Sequence, residues 1–113
     1  MITVTIERSG SGRILRFQVS GHAGYASAGS DIVCAGVSAV AVGSVNAVEK
    51  LTGIMLKAEM RDGWLAAELP DGLDPEREQK VQLLLEGMVA QLETIAEDYG
   101  KYVKIQERIA EGG

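Results

Sequence analysis

The chain is poor in the residues that most often build metal sites and covalent cross-links. Its 113 residues include one cysteine, one histidine, one tryptophan and one phenylalanine. A single cysteine excludes an intramolecular disulfide, and one histidine beside one cysteine does not supply a zinc ligand set. No secretory signal pattern opens the sequence. We therefore expect a cytoplasmic protein that needs no metal and no other cofactor.

Positive charge is also in short supply. Eleven basic residues stand against sixteen acidic ones, which gives a formal net charge of −5. This balance argues against direct nucleic-acid binding, which needs a basic patch, and it suits a basic protein partner. Charge is absent altogether from residues 32–48, but that stretch is short for a membrane span and is interrupted by serine, asparagine and glycine. We expect a core helix beneath a sheet and no membrane association.

The sequence predicts two β-hairpins. Residues 2–7 and 15–20 alternate apolar and polar side chains on either side of a serine–glycine turn. Residues 54–61 alternate in the same way, and Asp62-Gly63 is a strong two-residue hairpin signal before the returning strand over residues 64–69. Each hairpin would present one apolar face to a shared core.

Two helices are predicted, one after each hairpin. The first is capped by Ser30 or Asp31 and closed by Gly53. The second begins at Asp74-Pro75, where aspartate caps and proline takes the first helical position, and keeps its apolar period as far as Gly100. The second helix is amphipathic, so its polar side should face water.

A short last strand over residues 102–106 and a frayed tail from Arg108 complete the chain. The predicted order is ββαββαβ in one domain over residues 1–113. The simplest arrangement is an α+β, two-layer sandwich with both helices on one face of a mixed, mainly antiparallel sheet.

The only histidine and the only cysteine fall in one glycine-rich stretch, residues 21–38. A loop over residues 23–30 contains two glycines and lacks an apolar period, which predicts that it moves. Cys34 lies in the first helical turn, where unsatisfied N–H groups and the helix dipole favour a thiolate. His22, at the end of the second strand, could reach the sulfur as a base. The pattern predicts a thiol enzyme whose helix-start N–H groups hold an oxyanion.

Other interpretations stay open at this point. Cys34 lies among small apolar residues, as an inert core cysteine does. Asp31 could orient His22 or only cap the helix, and Ser38 could reach the site or bond back to a helix carbonyl. Tyr25 could line a substrate cleft or lie on the surface. The loop and helix N-terminus would also suit an anion such as phosphate, although the lysine of a P-loop is missing.

Recognition of a family narrows these choices. The string GHAGYASAGSDIVCAGVSAV, residues 21–40, closely resembles the signature of the ribosomal-processing cysteine protease family, in which GHA, a short variable loop and GxDIVCAxVS recur. The resemblance places the family's catalytic pair on His22 and Cys34. It places the family's supporting glycine, aspartate and serine on Gly21, Asp31 and Ser38.

The resemblance also implies a substrate and an assembly state. The family removes the N-terminal extension of a bacterial large-subunit ribosomal protein, the twenty-seventh in the usual naming, and forms homodimers. Its substrate has a hydrophobic segment before the cut and a lysine-rich body after it, which suits an apolar cleft on an acidic protein. The alternative is a non-catalytic ribosome-assembly factor, or an anion-binding module, in which Cys34 belongs only to the core.

Overall fold

The computed structural model describes residues 1–27 and 29–110, which form a five-stranded mixed sheet and two helices. The elements are β1 Ile2–Arg8, β2 Ile14–Ser20, α1 Ile32–Thr52, β3 Lys57–Arg61, β4 Trp64–Glu68, α2 Pro75–Asp98 and β5 Val103–Ile109. The strands lie in the order β3-β4-β2-β1-β5. The β1–β5 pair is parallel and the other three pairs are antiparallel. The predicted α+β fold and the order ββαββαβ are confirmed.

The alternation predicted for the first strand creates the apolar face of the sheet. Ile2, Val4 and Ile6 are buried, whereas the residues between them are only partly covered. Ile6 lies opposite the buried Phe17 of β2 in the antiparallel register. The helices contact each other, and their buried residues join this face in one hydrophobic cluster. Burial of this apolar surface is the main force that holds the two layers together.

The first helix has the predicted caps, but it is buried on one side only. Its N-cap is Asp31, and it ends at Gly53. One side is buried, with Val33 and Val37 near its start, while Ile32 is 58% exposed. The helix is long and apolar enough to cross a bilayer by length and composition alone. The prediction of a core helix therefore holds for one side of α1.

The strand boundaries differ from the sequence-based prediction in several places. The strand predicted over residues 54–61 begins only at Lys57, and all five residues of β3 are exposed, so this strand lacks the expected apolar face; Ile54 and Leu56 are buried before it begins. A register shift between Glu7 and Arg8 changes the alternation at the turn, so β2 starts one residue early and buries Ile14. The last strand continues to Ile109 because it pairs in parallel with β1 along its whole length. The prediction of a tail frayed from Arg108 is wrong as far as Ile109, and residues 111–113 lie outside the described part of the chain.

Three chain segments meet at one edge of this architecture. Pairing of Ser20 with Trp64 brings the end of β2 beside the turn of the β3–β4 hairpin. The backbone N–H of Gly21 donates to the carbonyl oxygen of Gly63 at 2.8 Å. The loop that follows returns the chain to Asp31 at the start of α1. The strand end, the hairpin turn and the helix start thus surround a single surface cleft.

Candidate active site

Two recesses in the surface meet at the predicted catalytic pair. An apolar recess of about 200 Å³ lies between α1 and the β3–β4 hairpin. A second recess of about 540 Å³ opens between the start of α1 and the loop that precedes it. The residues that line both recesses are His22, Cys34, Ser38 and Asp62. Three of the predicted site residues, together with Asp62, therefore lie where the recesses meet, while Gly21 lines only the first recess and Asp31 only the second.

Cys34 occupies the third position of α1 and is only partly buried. Its Sγ atom accepts a hydrogen bond from the backbone N–H of Ala23 at 3.2 Å. This N–H places the positive end of a backbone dipole beside the sulfur atom. Because the sulfur borders both recesses, the interpretation of Cys34 as an inert core residue does not fit its position.

His22 is exposed at the end of β2, and its backbone is held in place. Its carbonyl oxygen accepts a hydrogen bond from the N-terminal ammonium group of Met1 at 2.6 Å. Within residues 1–27 and 29–110, the imidazole ring makes no hydrogen bond, and Sγ of Cys34 is bonded to Ala23 and not to the ring. The two side chains share the cleft, and they must approach further for proton transfer.

Gly21 has a steric reason to be glycine. Its φ angle is +92°, a backbone conformation that L side chains rarely adopt. A Cβ atom at this position would collide with the carbonyl oxygen of Met1, which belongs to the backbone and cannot easily move aside. Glycine at position 21 thus allows the backbone just before His22 to lie in close contact with the residue that precedes β1.

Asp31 connects the helix start to the preceding loop. Its Oδ1 accepts the N–H groups of Val33 and Cys34, both at 3.0 Å, and its Oδ2 accepts those of Tyr25 and Ala26 at 3.0 and 3.2 Å. The N–H of Cys34, followed by those of Ala26, Tyr25 and Val33, lowers the pKa of the Asp31 carboxyl against the opposing effect of desolvation. The structure therefore shows the capping role and adds a loop contact.

The engagement of Asp31 corrects one expectation about the oxyanion. The N–H groups of Val33 and Cys34 were expected to face a developing charge, but both donate to the Asp31 carboxylate. That expectation is wrong for these two donors. The N–H of Ala23 already points at Sγ, so it is the donor best placed beside the reacting atom.

Ser38 lies one helical turn after Cys34, is exposed and lines both recesses. In the described residues, the helix hydroxyl groups that bond back to a carbonyl belong to Ser44, Thr52 and Thr94. The Ser38 hydroxyl is not among them. It is therefore free to face the cleft, as the first of its two predicted roles requires.

The aromatic residues near the site have structural contacts. The ring of Tyr25 packs edge-on against Tyr99 and Tyr102, with centroid separations of 5.7 and 5.2 Å. Tyr25 is not among the residues lining either recess, so its binding of substrate stays a prediction. Trp64 lines the apolar recess, and the guanidinium of Arg61 lies 4.3 Å from its ring centroid. The tyrosine contacts therefore hold the loop that precedes α1, whereas the tryptophan contact lies in the wall of the apolar recess.

The described part of the chain has no cluster of side chains that is arranged to bind a metal ion. Among residues 1–27 and 29–110, no group of three or more histidine, cysteine, aspartate or glutamate side chains is arranged to hold an ion. The reactive groups of the cleft are instead a thiol, an imidazole and backbone N–H donors. A cysteine at a helix start and a histidine after a strand end, in one cleft, are the nucleophile and the base that a cysteine-dependent peptidase requires.

Comparison with known proteins agrees with that class. The sequence profile of the family described as cysteine protease Prp matches residues 1–104, and the chain belongs to this family. The ribosomal processing cysteine protease Prp of Bacillus subtilis is 47% identical over 111 residues, which cover 96% of this chain and 99% of that protein. The corresponding protein of Staphylococcus aureus is 35% identical and covers 93% and 97% respectively. The chain is therefore a cysteine peptidase.

Solved structures show the same architecture. The crystal structure of the S. aureus ribosomal processing protease Prp with a covalently linked product peptide has a TM-score of 0.86 and 35% identity. The match covers 96% of this chain and all of that one. A structure of the same S. aureus protease with a substrate peptide has a TM-score of 0.82. The fold that positions the cleft is thus a property of the family.

Proposed function

We propose that this chain is an endopeptidase that removes the N-terminal extension of a large-subunit ribosomal protein, the twenty-seventh, with Cys34 as nucleophile and His22 as general base and acid. The single observation that carries the proposal is the position of both side chains at the junction of the two recesses. A polypeptide lying along both recesses would pass its backbone over Sγ. This arrangement suits cleavage within a chain.

The proposed reaction follows from the groups at that junction. The Cys34 thiolate attacks the scissile carbonyl carbon, and the C–N bond breaks as protonated His22 delivers a proton to the leaving amine. The product of this step is a thioester on Cys34. Water then attacks the thioester while neutral His22 accepts its proton, and the C–S bond breaks. The acid product leaves, and the Cys34 thiolate and protonated His22 are restored. The N–H of Ala23, which donates to Sγ in the free protein, is the proposed donor to the oxyanion of each tetrahedral intermediate.

The substrate assignment is supported by the names of the relatives, by the residues that line the apolar recess and by the net charge of the chain. The B. subtilis and S. aureus relatives are named for ribosomal processing, and the S. aureus protein has been crystallised with substrate and product peptides. The recess between α1 and the hairpin has apolar walls, which suits the hydrophobic segment before the cut. Five of these wall residues are Val37, Ala41, Val42, Met60 and Leu65. The net charge of −5 suits the basic body after the cut.

The anion-binding alternative is disfavoured by the same geometry. The N–H groups of Val33 and Cys34, which a phosphate would need, are bonded to the Asp31 carboxylate. That negative charge occupies the helix N-terminus and would repel a phosphate. Alkylation of the thiol distinguishes a non-catalytic assembly factor from a peptidase. An inert cysteine would resist alkylation at neutral pH, whereas a catalytic cysteine would react.

The decisive experiment incubates the purified protein with the ribosomal precursor and identifies the new N-terminus by mass spectrometry. Cys34→Ala and His22→Ala are expected to abolish cleavage while thermal unfolding stays cooperative, because both positions tolerate a small side chain. Since the chain has one cysteine and one histidine, alkylation and imidazole signals report on these residues alone. Wild-type turnover by folded Cys34→Ala would refute the assignment of the nucleophile.

We further infer a cytoplasmic homodimer that binds neither nucleic acid nor membrane. All five residues of the edge strand β3 are exposed, and an exposed strand edge favours pairing with another chain. The acidic balance disfavours nucleic acid and anionic lipid surfaces alike. Light scattering over a range of concentrations tests the dimer, and a monomer at every concentration would contradict it.

A further inference from the structure

The imidazole of His22 rests against the turn of the β3–β4 hairpin. An ideal Cβ atom built on Gly63 would lie 2.7 Å from Nε2 of His22, and 3.3 and 3.4 Å from its Cε1 and Cδ2. Ordinary contact at a Cβ atom begins near 3.4 Å. The tip of the ring therefore occupies space that any side chain at position 63 would take.

The same turn holds the backbone next to the ring. The carbonyl oxygen of Gly63 accepts the N–H of Gly21, so the turn contacts both the main chain before His22 and its side chain. The turn is itself fixed, because β4 pairs with β2 and ends this pairing at Ser20 and Trp64. Gly63 and His22 both line the recess that contains Cys34. A rigid surface thus supports the ring at the edge of the cleft.

We propose that Gly63 is a positioning residue for His22, because the absence of a side chain there lets the imidazole rest on the turn, in the recess that it shares with Cys34. The proposal rests on the proposed function, in which His22 is the base and acid. A Cβ atom at position 63 would push Nε2 away by about 0.7 Å, the difference between 2.7 and 3.4 Å. Displacements of this order at a reacting group can lower rates by about two orders of magnitude.

Gly63 also has a backbone reason to be glycine, and the chain supplies a control for it. Its φ angle is +70°, whereas Asp62 before it has no positive φ, so Gly63 alone supplies the left-handed conformation of this turn. Gly72 has a φ angle of +75°, and a Cβ atom there would meet nothing within 4 Å. Gly72→Ala therefore introduces the same backbone strain without touching His22. Gly63→Asn adds a further comparison, since asparagine tolerates a positive φ but carries the same Cβ atom.

The experiment combines NMR of the single histidine with peptide cleavage. In the wild type, a nuclear Overhauser effect is expected between an imidazole proton of His22 and the α protons of Gly63. Gly63→Ala and Gly63→Asn should both shift the His22 ring resonances and lower kcat/KM at least about tenfold. Gly72→Ala should leave the resonances and kcat/KM at wild-type values while losing a similar amount of thermal stability to Gly63→Ala.

Three outcomes would overturn the proposal. These are unchanged His22 resonances in both Gly63 variants, cleavage by both at the wild-type rate, and equal losses of activity in Gly63→Ala and Gly72→Ala. Failure of the proposed function looks different: either the wild type would not cleave the precursor, or His22→Ala would cleave it normally, while the wild-type protein still showed the NMR contact between His22 and Gly63. If Gly63→Ala does not fold, Gly63→Asn supplies the same test with less backbone strain.

Discussion

Replacement of Gly21 by alanine tests whether the position of His22 depends on the close contact between residue 21 and the backbone of Met1. Gly21 has a φ angle of +92°, and a Cβ atom there would collide with the carbonyl oxygen of Met1. Gly12, in the turn between β1 and β2, has a φ angle of +93°, and a Cβ atom there meets nothing within 4 Å. The two substitutions share the backbone strain and differ in the collision alone.

The expected magnitudes follow from these two contributions. An alanine at positive φ costs about 1–2 kcal/mol, which is the whole effect expected for Gly12→Ala. A forced collision in a packed region adds about 1–3 kcal/mol, so Gly21→Ala should cost about 2–5 kcal/mol. At about 2.1 cal/mol/K per residue, 113 residues give an unfolding entropy near ~0.24 kcal/mol/K, so each kcal/mol lowers Tm by about 4 °C. The Tm of Gly21→Ala should therefore lie about 4–12 °C below that of Gly12→Ala.

Thermal unfolding followed by circular dichroism measures the difference, and peptide cleavage below both midpoints measures its consequence. Because residue 21 leads directly into His22, relief of the collision must move either β1 or the chain that carries the imidazole. Cleavage should fall in Gly21→Ala and stay near the wild-type rate in Gly12→Ala. Equal Tm values for the two variants would refute the steric argument, whatever the activities.

Three further predictions concern the residues around Cys34. Asp31→Asn keeps one oxygen for the helix but turns its amide toward the N–H groups of Tyr25 and Ala26, so these two amides should exchange hydrogen faster while α1 stays protected. Since the pKa of Asp31 is lowered on folding, its contribution to stability is complete above the ordinary value of 3.8 and is lost as pH falls through the folded value. Acid unfolding should thus be shallower in Asp31→Asn. Ser38→Ala should slow cleavage without a change in Tm, and unchanged kinetics would make Ser38 a surface residue.

Features encoded by neighbouring residues were predictable from the sequence. Asp62-Gly63 specifies its turn, and Asp74-Pro75 specifies the start of α2, through local backbone preferences. The full length of β5 was not predictable, because Ile109 belongs to the strand only through its parallel pairing with β1. The same limit applies to the register shift at Glu7, which depends on how two strands align and on no local signal.

The same distinction applies to the candidate site, where contiguous residues were predictable and contacts made through strand pairing were not. The stretch that holds His22 and Cys34 was recognisable because its residues are contiguous and match a family signature. The sequence carried no sign that Asp62 and Gly63 lie beside them, since the two segments are about forty residues apart and meet only through the pairing of β2 with β4. Nor did it show that Asp31 serves the loop as well as the helix.

The contacts of Asp31 with the loop bear on the prediction that the loop over residues 23–30 moves. Residue 28 of this loop lies outside the described part of the chain. The Tyr25 backbone is bonded to Asp31, and its ring packs on two tyrosines, so opening of the loop must break polar and aromatic contacts together. The start of the loop is tied to the nucleophile itself, through the N–H of Ala23 and Sγ of Cys34. When Sγ carries an acyl group, it is a weaker acceptor than a thiolate, and the new oxyanion becomes the better partner for that N–H. In the proposed mechanism, formation of the acyl-enzyme would therefore alter the contact that holds the loop, so we expect the position of the loop to change with the chemical step.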